Sequence, residues 1–351
     1  MRQRRLLPMR GTQLTRLAAT GAVVLGAVPG CGWPAETFSP VTPQGRSIAD
    51  LFLVALAISA LILALVGGLL IQVLRRYRAR PGDAEPPQVE GNRKLELAWT
   101  LAPFLVLAVI FWFTVRTMRA VDADPGVSPG VLQVQVVGHQ WWWEFRYPDL
   151  GVVTANELHA PVGVPLRLQL QSADVVHSFW VPQLGWKRDA VPGKTNVLSL
   201  RVDQPGVYDG TCAEFCGVQH AWMRIRFVAQ PREQFDAWAQ QQRLGSLTAA
   251  ATPADAQQAS LVARGQQVFL TNTCVNCHTI QGTAATGTVG PDLTHVGSRT
   301  TLGAGVIQNT PADMRRWVQD ARAVKPGALM PPFALSDADL DALVAYLEGL
   351  E

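Results

Sequence analysis

The chain has 351 residues, 48% of them hydrophobic, and a formal net charge of +3. Such a length exceeds one typical domain and asks for two soluble modules, or one module plus membrane segments. The near-balance of charge, with no dominant basic stripe, argues against nucleic acid as a partner. Most of the long apolar runs lie before residue 116, which points to membrane insertion rather than a larger core.

Residues 1–30 read as a signal peptide. Arg2, Arg4, Arg5 and Arg10 form a positive n-region, and LAATGAVVLGAV (17–28) forms a short apolar core. The following VPGC ends in Cys31, a placement that resembles the lipobox of bacterial lipoproteins, in which that thiol is acylated. Residues 31–47 are then an extracytoplasmic N-terminal segment. A first transmembrane helix is expected over 48–74, where Asp50 is the single charge, because crossing a hydrocarbon core takes roughly 20 mostly apolar residues. The loop 75–95 carries Arg75, Arg76, Arg78, Arg80, Arg93 and Lys94, and a second apolar helix follows over 96–116. The positive-inside rule places that loop in the cytoplasm and everything beyond about residue 120 outside, in agreement with the signal peptide.

From residue 120 to 232 the pattern turns to period two. LQVQV (132–136), LRLQL (166–170), LSLRV (198–202) and MRIRF (223–227) alternate, separated by the turn signals YPDLG, APVG, VPGK and DQPG. Such strands suggest one antiparallel β sandwich or barrel. A linker is expected over 233–259, its Ala/Thr/Gln-rich stretch SLTAAATPADAQQAS lacking apolar periodicity. Residues 260–351 then read as a small α-helical module. Its last helix is announced by Ser336 as N-cap with Asp339 near N3. A module so poor in long apolar runs calls for a cofactor to complete its core.

That cofactor is signalled by CVNCH (274–278). Cys274 and Cys277 have the spacing that forms thioethers to both vinyl groups of haem c, and His278 reaches the iron. Met330 in LMPPF is the candidate for the opposite axial position, because Pro331 and Pro332 hold that segment out of a helix. Met314 falls in a helical run and suits the core, and His295 is a weaker alternative ligand. GPDL (290–293) resembles the c-type cytochrome loop whose proline carbonyl, here that of Pro291, orients the haem histidine.

GTCAEFCGVQHAWM (210–223) gathers Cys212, Glu214, Cys216, His220 and Met223. Two thiolates, an imidazole and a thioether suit copper better than any hard metal. A second histidine must come from elsewhere, and His177 in DVVHSFWVP offers one. Met223 also shares an apolar face with Ile225 and Phe227, so packing is its other reading. A Cys212–Cys216 disulfide, a zinc site and a mononuclear blue-copper site compete. The disulfide leaves His220, Met223 and Glu214 unexplained, Met223 speaks against zinc, and blue copper needs only one cysteine. A dinuclear copper centre uses every residue.

With these residues in view, 45–230 resembles subunit II of a haem–copper cytochrome c oxidase. The resemblance rests on ELAWTLAP (96–103), GHQWWWEF (138–145), DVVHSFWVPQLGWKRDAVPGKTN (174–196) and CAEFCGVQHAWM (212–223). It implies a multidomain membrane protein: a two-helix transmembrane hairpin, an all-β cupredoxin-like domain and a small all-α cytochrome c domain. It implies the dinuclear CuA centre, held by His177, Cys212, the Glu214 carbonyl, Cys216, His220 and Met223. The Glu214 carboxylate would help hold magnesium at the contact with subunit I. Trp141 matches the position where electrons enter, with packing or membrane-interface roles left to Trp142 and Trp143. Glu96 matches a glutamate at the mouth of a proton path, and equally suits a solvated charge at a helix end.

The resemblance further implies an electron-transfer subunit in a bacterial cell membrane, fed by cytochrome c or a similar donor and partnered by subunit I and other oxidase subunits. Oxygen would be reduced in subunit I, with protons translocated. All five cysteines are then placed: one on lipid, two on copper, two on haem. A CuA-containing nitric oxide or nitrous oxide reductase, and a membrane-anchored carrier without a catalytic partner, are the competing functions.

Overall fold

The computed structural model describes residues 37–78, 80–85, 88, 90–245 and 256–351. The signal peptide and Cys31 lie outside the described residues.

Helix α1 spans Pro43–Arg76 and helix α2 spans Arg93–Val121. Both are long and apolar enough to cross a membrane, and their central windows are not buried by the rest of the chain. Side chains such as Leu63, 74% exposed, form a surface far more apolar than water tolerates, so it faces lipid. Each helix overruns the expected span because its caps lie beyond the apolar run. Thr42 accepts from the Gly45 amide at 2.9 Å and Pro43 supplies a pre-set φ at the first helical position. Asn92 caps α2 through the amides of Lys94 and Leu95. The extra first turn of α1 docks on the β domain. Thr42 Oγ1 donates to the Leu184 carbonyl at 2.7 Å, and Arg46 pairs with Asp203.

The β domain consists of β1 (Leu132–His139), β2 (Trp142–Tyr147), β3 (Val152–Ala155), β4 (Glu157–Pro161), β5 (Pro165–Ser172), β6 (His177–Trp180), β7 (Arg188–Ala190), β8 (Asn196–Arg201), β9 (Gly206–Cys212) and β10 (Arg224–Gln230). They form two five-stranded sheets, ordered β3-β2-β1-β5-β8 and β4-β10-β9-β6-β7. The inward residues of both sheets, among them Val136, Phe145, Leu168, Phe179, Ile225 and Phe227, make one core. Two pairs depart from the antiparallel expectation: β1 with β5 and β4 with β10 run parallel. Alternation along a strand reports which face is buried and says nothing of the direction of its neighbour. Asn156 is where the chain crosses from one sheet to the other. It adopts φ 63°, and its side chain accepts from the Trp143 amide at 2.9 Å.

The linker expected from residue 233 starts later. Arg232–Arg243 is a helix, α3, which buries Phe235 and Ala239 and lays Trp238 flat on His159 with centroids 4.2 Å apart. Its polar surface hides a short apolar stripe that a search for long apolar runs passes over.

The C-terminal module holds α4 (Ala256–Thr271), α5 (Pro311–Gln319), α6 (Ala321–Val324), α7 (Asp337–Glu348) and a short hairpin of β11 (Thr301–Leu302) with β12 (Ile307–Gln308). Helices α4 and α7 cross at Gly265, where any Cβ would strike the Ala342 carbonyl. Ser336 caps α7 as expected, accepting from the Asp339 amide at 3.1 Å.

Candidate metal and haem sites

Strands β6 and β9 pair so that Phe179 faces Cys212, which sets His177 beside the end of β9. The chain then loops through Ala213–Gln219 and returns by a short 3-10 turn, His220–Trp222, into Met223. The Cys212 amide donates to the Met223 carbonyl at 2.8 Å and closes the base of this loop. Gly217 turns it, at φ 117° and with a Cβ position only 3.0 Å from the Trp141 ring.

Six expected donor groups converge here. Cys212 Sγ lies 3.8 Å from Cys216 Sγ, 3.2 Å from the Glu214 carbonyl oxygen and 3.9 Å from His177 Nδ1. Cys216 Sγ lies 3.7 Å from His220 Nδ1 and 3.9 Å from Met223 Sδ. Both thiols are free, and their separation is nearly twice a disulfide bond of about 2.04 Å. The metal-binding atoms of His177, Cys212 and Cys216 lie within 4.8 Å of one another, all three residues buried. A soft, sulfur-rich donor set held clear of water fits copper.

The electrostatics agree. The adjacent Cys216 thiol lowers Cys212 to about 4, against an opposing burial effect and with help from His177. Cys216 is pushed strongly upward by the Cys212 thiolate and then by burial. The pair thus favours deprotonation at Cys212, the form in which a thiol binds metal. Burial opposes charge on His177, yet Cys212 and Asp174 together outweigh it and raise its pKa.

Around these ligands lie Trp141, which the sequence points to, and Asp174 and Gln140, which it does not. Asp174 accepts from His177 Nε2 at 2.8 Å and from the Gln140 and Val175 amides, each at 2.6 Å, leaving Nδ1 aimed at the sulfurs. The available signal was an acid three residues before the histidine in DVVH. Gln140 Nε2 and Trp141 Nε1 both donate to the Cys216 carbonyl, at 2.8 and 2.9 Å. Of the tryptophan run, Trp141 therefore touches the ligand loop, Trp142 stacks on His139 and Trp143 is core. The Glu214 side chain points away and lies 3.6 Å from Lys187 Nζ. Glu96 sits in the first turn of α2, folded over Gly91.

In the helical module, Cys274 lies in a tight turn whose carbonyl accepts from the amides of Cys277 at 3.1 Å and His278 at 3.0 Å. His278 Nδ1 donates to the Pro291 carbonyl at 2.8 Å, as GPDL suggested, so Nε2 is the nitrogen left for iron. Burial lowers the pKa of His278 and keeps the ring neutral, the form a metal needs. Gly290 leaves room for the ring, since a Cβ would lie 2.5 Å from His278 Cε1. Met330 is half-buried in a segment without helix or strand. His295 has both ring nitrogens engaged, by the carbonyls of Glu351 and Gln242, and Met314 is 1% exposed in the core. These residues fit haem attachment by way of His278.

Comparison with known proteins follows the same division. The family model for the transmembrane domain of cytochrome c oxidase subunit II matches residues 37–116, that for its periplasmic domain matches 150–230, and that for cytochrome c matches 262–351. The cytochrome c oxidase subunit 2 of Alkalihalophilus pseudofirmus is 36% identical over 317 residues, 89% of this chain and 90% of its own. The chain belongs to the cytochrome c oxidase subunit II family. The Bacillus subtilis subunit 2 is 31% identical over 356 residues, 96% of this chain and 98% of its own. A solved periplasmic domain of subunit II from Bradyrhizobium japonicum is 30% identical, covers 32% of this chain and 93% of its own, and has a TM-score of 0.31.

As a subunit II, the protein is part of a haem–copper terminal oxidase, an oxidoreductase complex, and serves electron transfer there. It is a membrane protein whose C-terminal part is periplasmic. Its periplasmic family implies CuA copper, and its cytochrome c domain implies haem.

Proposed function

We propose that this subunit relays electrons from cytochrome c or a similar donor, by way of its own haem c and a dinuclear CuA centre, to subunit I. There oxygen is reduced to water with proton translocation. The observation that carries the reading is the convergence of two free thiols with two imidazoles, a carbonyl and a thioether. When bound, haem c and the copper pair supply one-electron redox chemistry.

The residues of the chain do the rest. Cys274 and Cys277 would attach the haem, and His278 and Met330 would hold its iron. Cys212, Cys216, His177, His220, Met223 and the Glu214 carbonyl would hold the copper pair. Asp174 fixes the tautomer of His177, while Gln140 and Trp141 brace the Cys216 carbonyl, and burial excludes water. Donor residues held by these bonds would move little on a change of oxidation state, which would favour fast transfer. Trp141, bonded to the ligand loop, is the side chain proposed to receive electrons. Glu214 would contribute to a magnesium site, Glu96 to a proton path, and Cys31 to lipid anchoring.

The test is anaerobic reduction of the assembled oxidase by reduced cytochrome c, followed at the haem c and copper bands. The reading expects haem c to be reduced first and copper to follow, with His278→Ala slowing copper reduction. Copper reduced at an unchanged rate in that variant would overturn the relay.

A further inference from the structure

The copper and haem domains meet across contacts that neither site needs for its own ligands. Glu157, the first residue of β4, is 2% exposed, although a buried carboxylate is costly unless fully bonded. The partners that satisfy it come from the haem domain. Its Oε1 accepts from the Thr300 amide at 2.9 Å, Thr300 Oγ1 at 2.6 Å, the Thr301 amide at 2.9 Å and Thr301 Oγ1 at 3.0 Å. Arg226 of the copper domain donates to Thr300 Oγ1 at 3.0 Å, so that hydroxyl is gripped from both sides.

Two further contacts fix the orientation. Gln219, 2% exposed, donates from Nε2 to the carbonyls of Lys325 at 3.2 Å and Pro326 at 3.0 Å. Lys325, 3% exposed, reaches back from the haem domain to the Trp141 carbonyl at 3.4 Å and its own Gly303 carbonyl at 3.0 Å. Glycines allow the close approach: Gly305 has φ 77° with a Cβ position 3.1 Å from Arg224 Cβ, and Gly327 has φ 89° with one 3.1 Å from Val218 Cγ2.

We infer that the haem domain is latched to the copper domain in one orientation, with Glu157 as the clasp and Gln219 and Lys325 setting the register. The latch is a property of the two folds, and it takes its meaning for electron transfer from the function proposed above. Gln219 immediately precedes His220, and Lys325 and Pro326 open the segment that carries Met330. On the other side, Arg299, next to the clasped threonines, donates to the carbonyl of Asp292, the neighbour of the Pro291 that holds His278. The latch therefore connects the copper-ligand loop to the segment that carries Met330 and to the loop that holds His278. Its bonds run to backbone carbonyls and a buried carboxylate, which salt screens little. The contact between the domains thus persists at ionic strengths that weaken the charge-steered approach of an external donor.

Amide hydrogen exchange on the full-length, haem- and copper-loaded protein tests this. The amides of 299–305 and of Lys325, Gly327 and Ala328 should exchange far more slowly than those of Val127, Ser128 and Gly130 in an exposed turn, equally at low and high salt. Glu157→Ala, which removes the oxygen on which the four donors converge, should speed exchange in both segments by about tenfold or more. The protection of β6 and β9 should not change. The double variant Thr300→Val/Thr301→Val keeps the amide donors and should give a smaller rise in the same segments. Wild-type segments exchanging as fast as the exposed turn, or no change in either variant, would overturn the latch. The copper EPR signal and haem absorbance of the same samples report separately on the proposed function. Their absence with the junction still protected would remove the electron-relay reading and leave the latch standing.

Discussion

The two redox sites of this chain are built in opposite ways. At the copper site the whole donor set is in place through strand register and backbone hydrogen bonds: β6 against β9, the Cys212 amide on Met223, the Cys216 carbonyl on Gln140 and Trp141. Its scaffold is a two-sheet core that closes without a cofactor. The haem site has its proximal half ordered by Pro291, whereas its distal candidate, Met330, sits in a segment held by prolines and not by a helix or strand. The helical module is small, and its core is the kind that a bound prosthetic group completes. One site is a cage whose donors are all in place, and the other has His278 fixed and leaves Met330 to a segment outside helix and strand.

The sharpest way to break that comparison is to withhold haem. A Cys274→Ala/Cys277→Ala variant should lose exchange protection across most of 256–351 while 130–245 stays folded and still takes up copper. A haem-free module that remains protected would show that the fold does not depend on its group. Cys216→Ser should reduce copper from about two ions per haem to one or none, since it removes one of the two thiolates that hold the pair, and metal analysis reads this directly. Haem content should not change. Asp174→Asn keeps the shape but weakens the hold on His177, and copper affinity should fall about 10- to 100-fold in competition with a chelator. Within the helical module, Leu343→Ala removes a side chain 1% exposed and should cost about 2–5 kcal/mol in thermal unfolding followed at the haem. The smallest effect is that of Ser336→Ala, which removes the cap of α7 and should cost about 1 kcal/mol by the same measurement.

Much of this was legible in the sequence because the chemistry is locally encoded. Cys212, Cys216, His220 and Met223 fall within one loop, CVNCH is contiguous, and an apolar run long enough to span a membrane needs no partner to be recognised. Ser336 and Asp339 likewise announce their helix from adjacent positions. What stayed hidden was long-range. The parallel pairing of β1 with β5 is invisible in alternation, which reports faces alone. Helix α3 hides its Trp238 contact on His159 beneath a polar composition. Glu157 reads as one acid at the start of a strand until the fold brings Thr300 to it across 143 positions. Asp174 lay in plain view three residues before His177, but its role appears only once the ring orientation is known.

The central claim is that Cys212 and Cys216 bridge two copper ions in a chain that also carries one covalent haem. The most direct measurement is copper per haem in the purified full-length protein, combined with its copper EPR spectrum. The account predicts about two coppers per haem and an unpaired electron shared between both nuclei. One copper with a hyperfine pattern from a single nucleus, or none with the two cysteines joined in a disulfide, would contradict it.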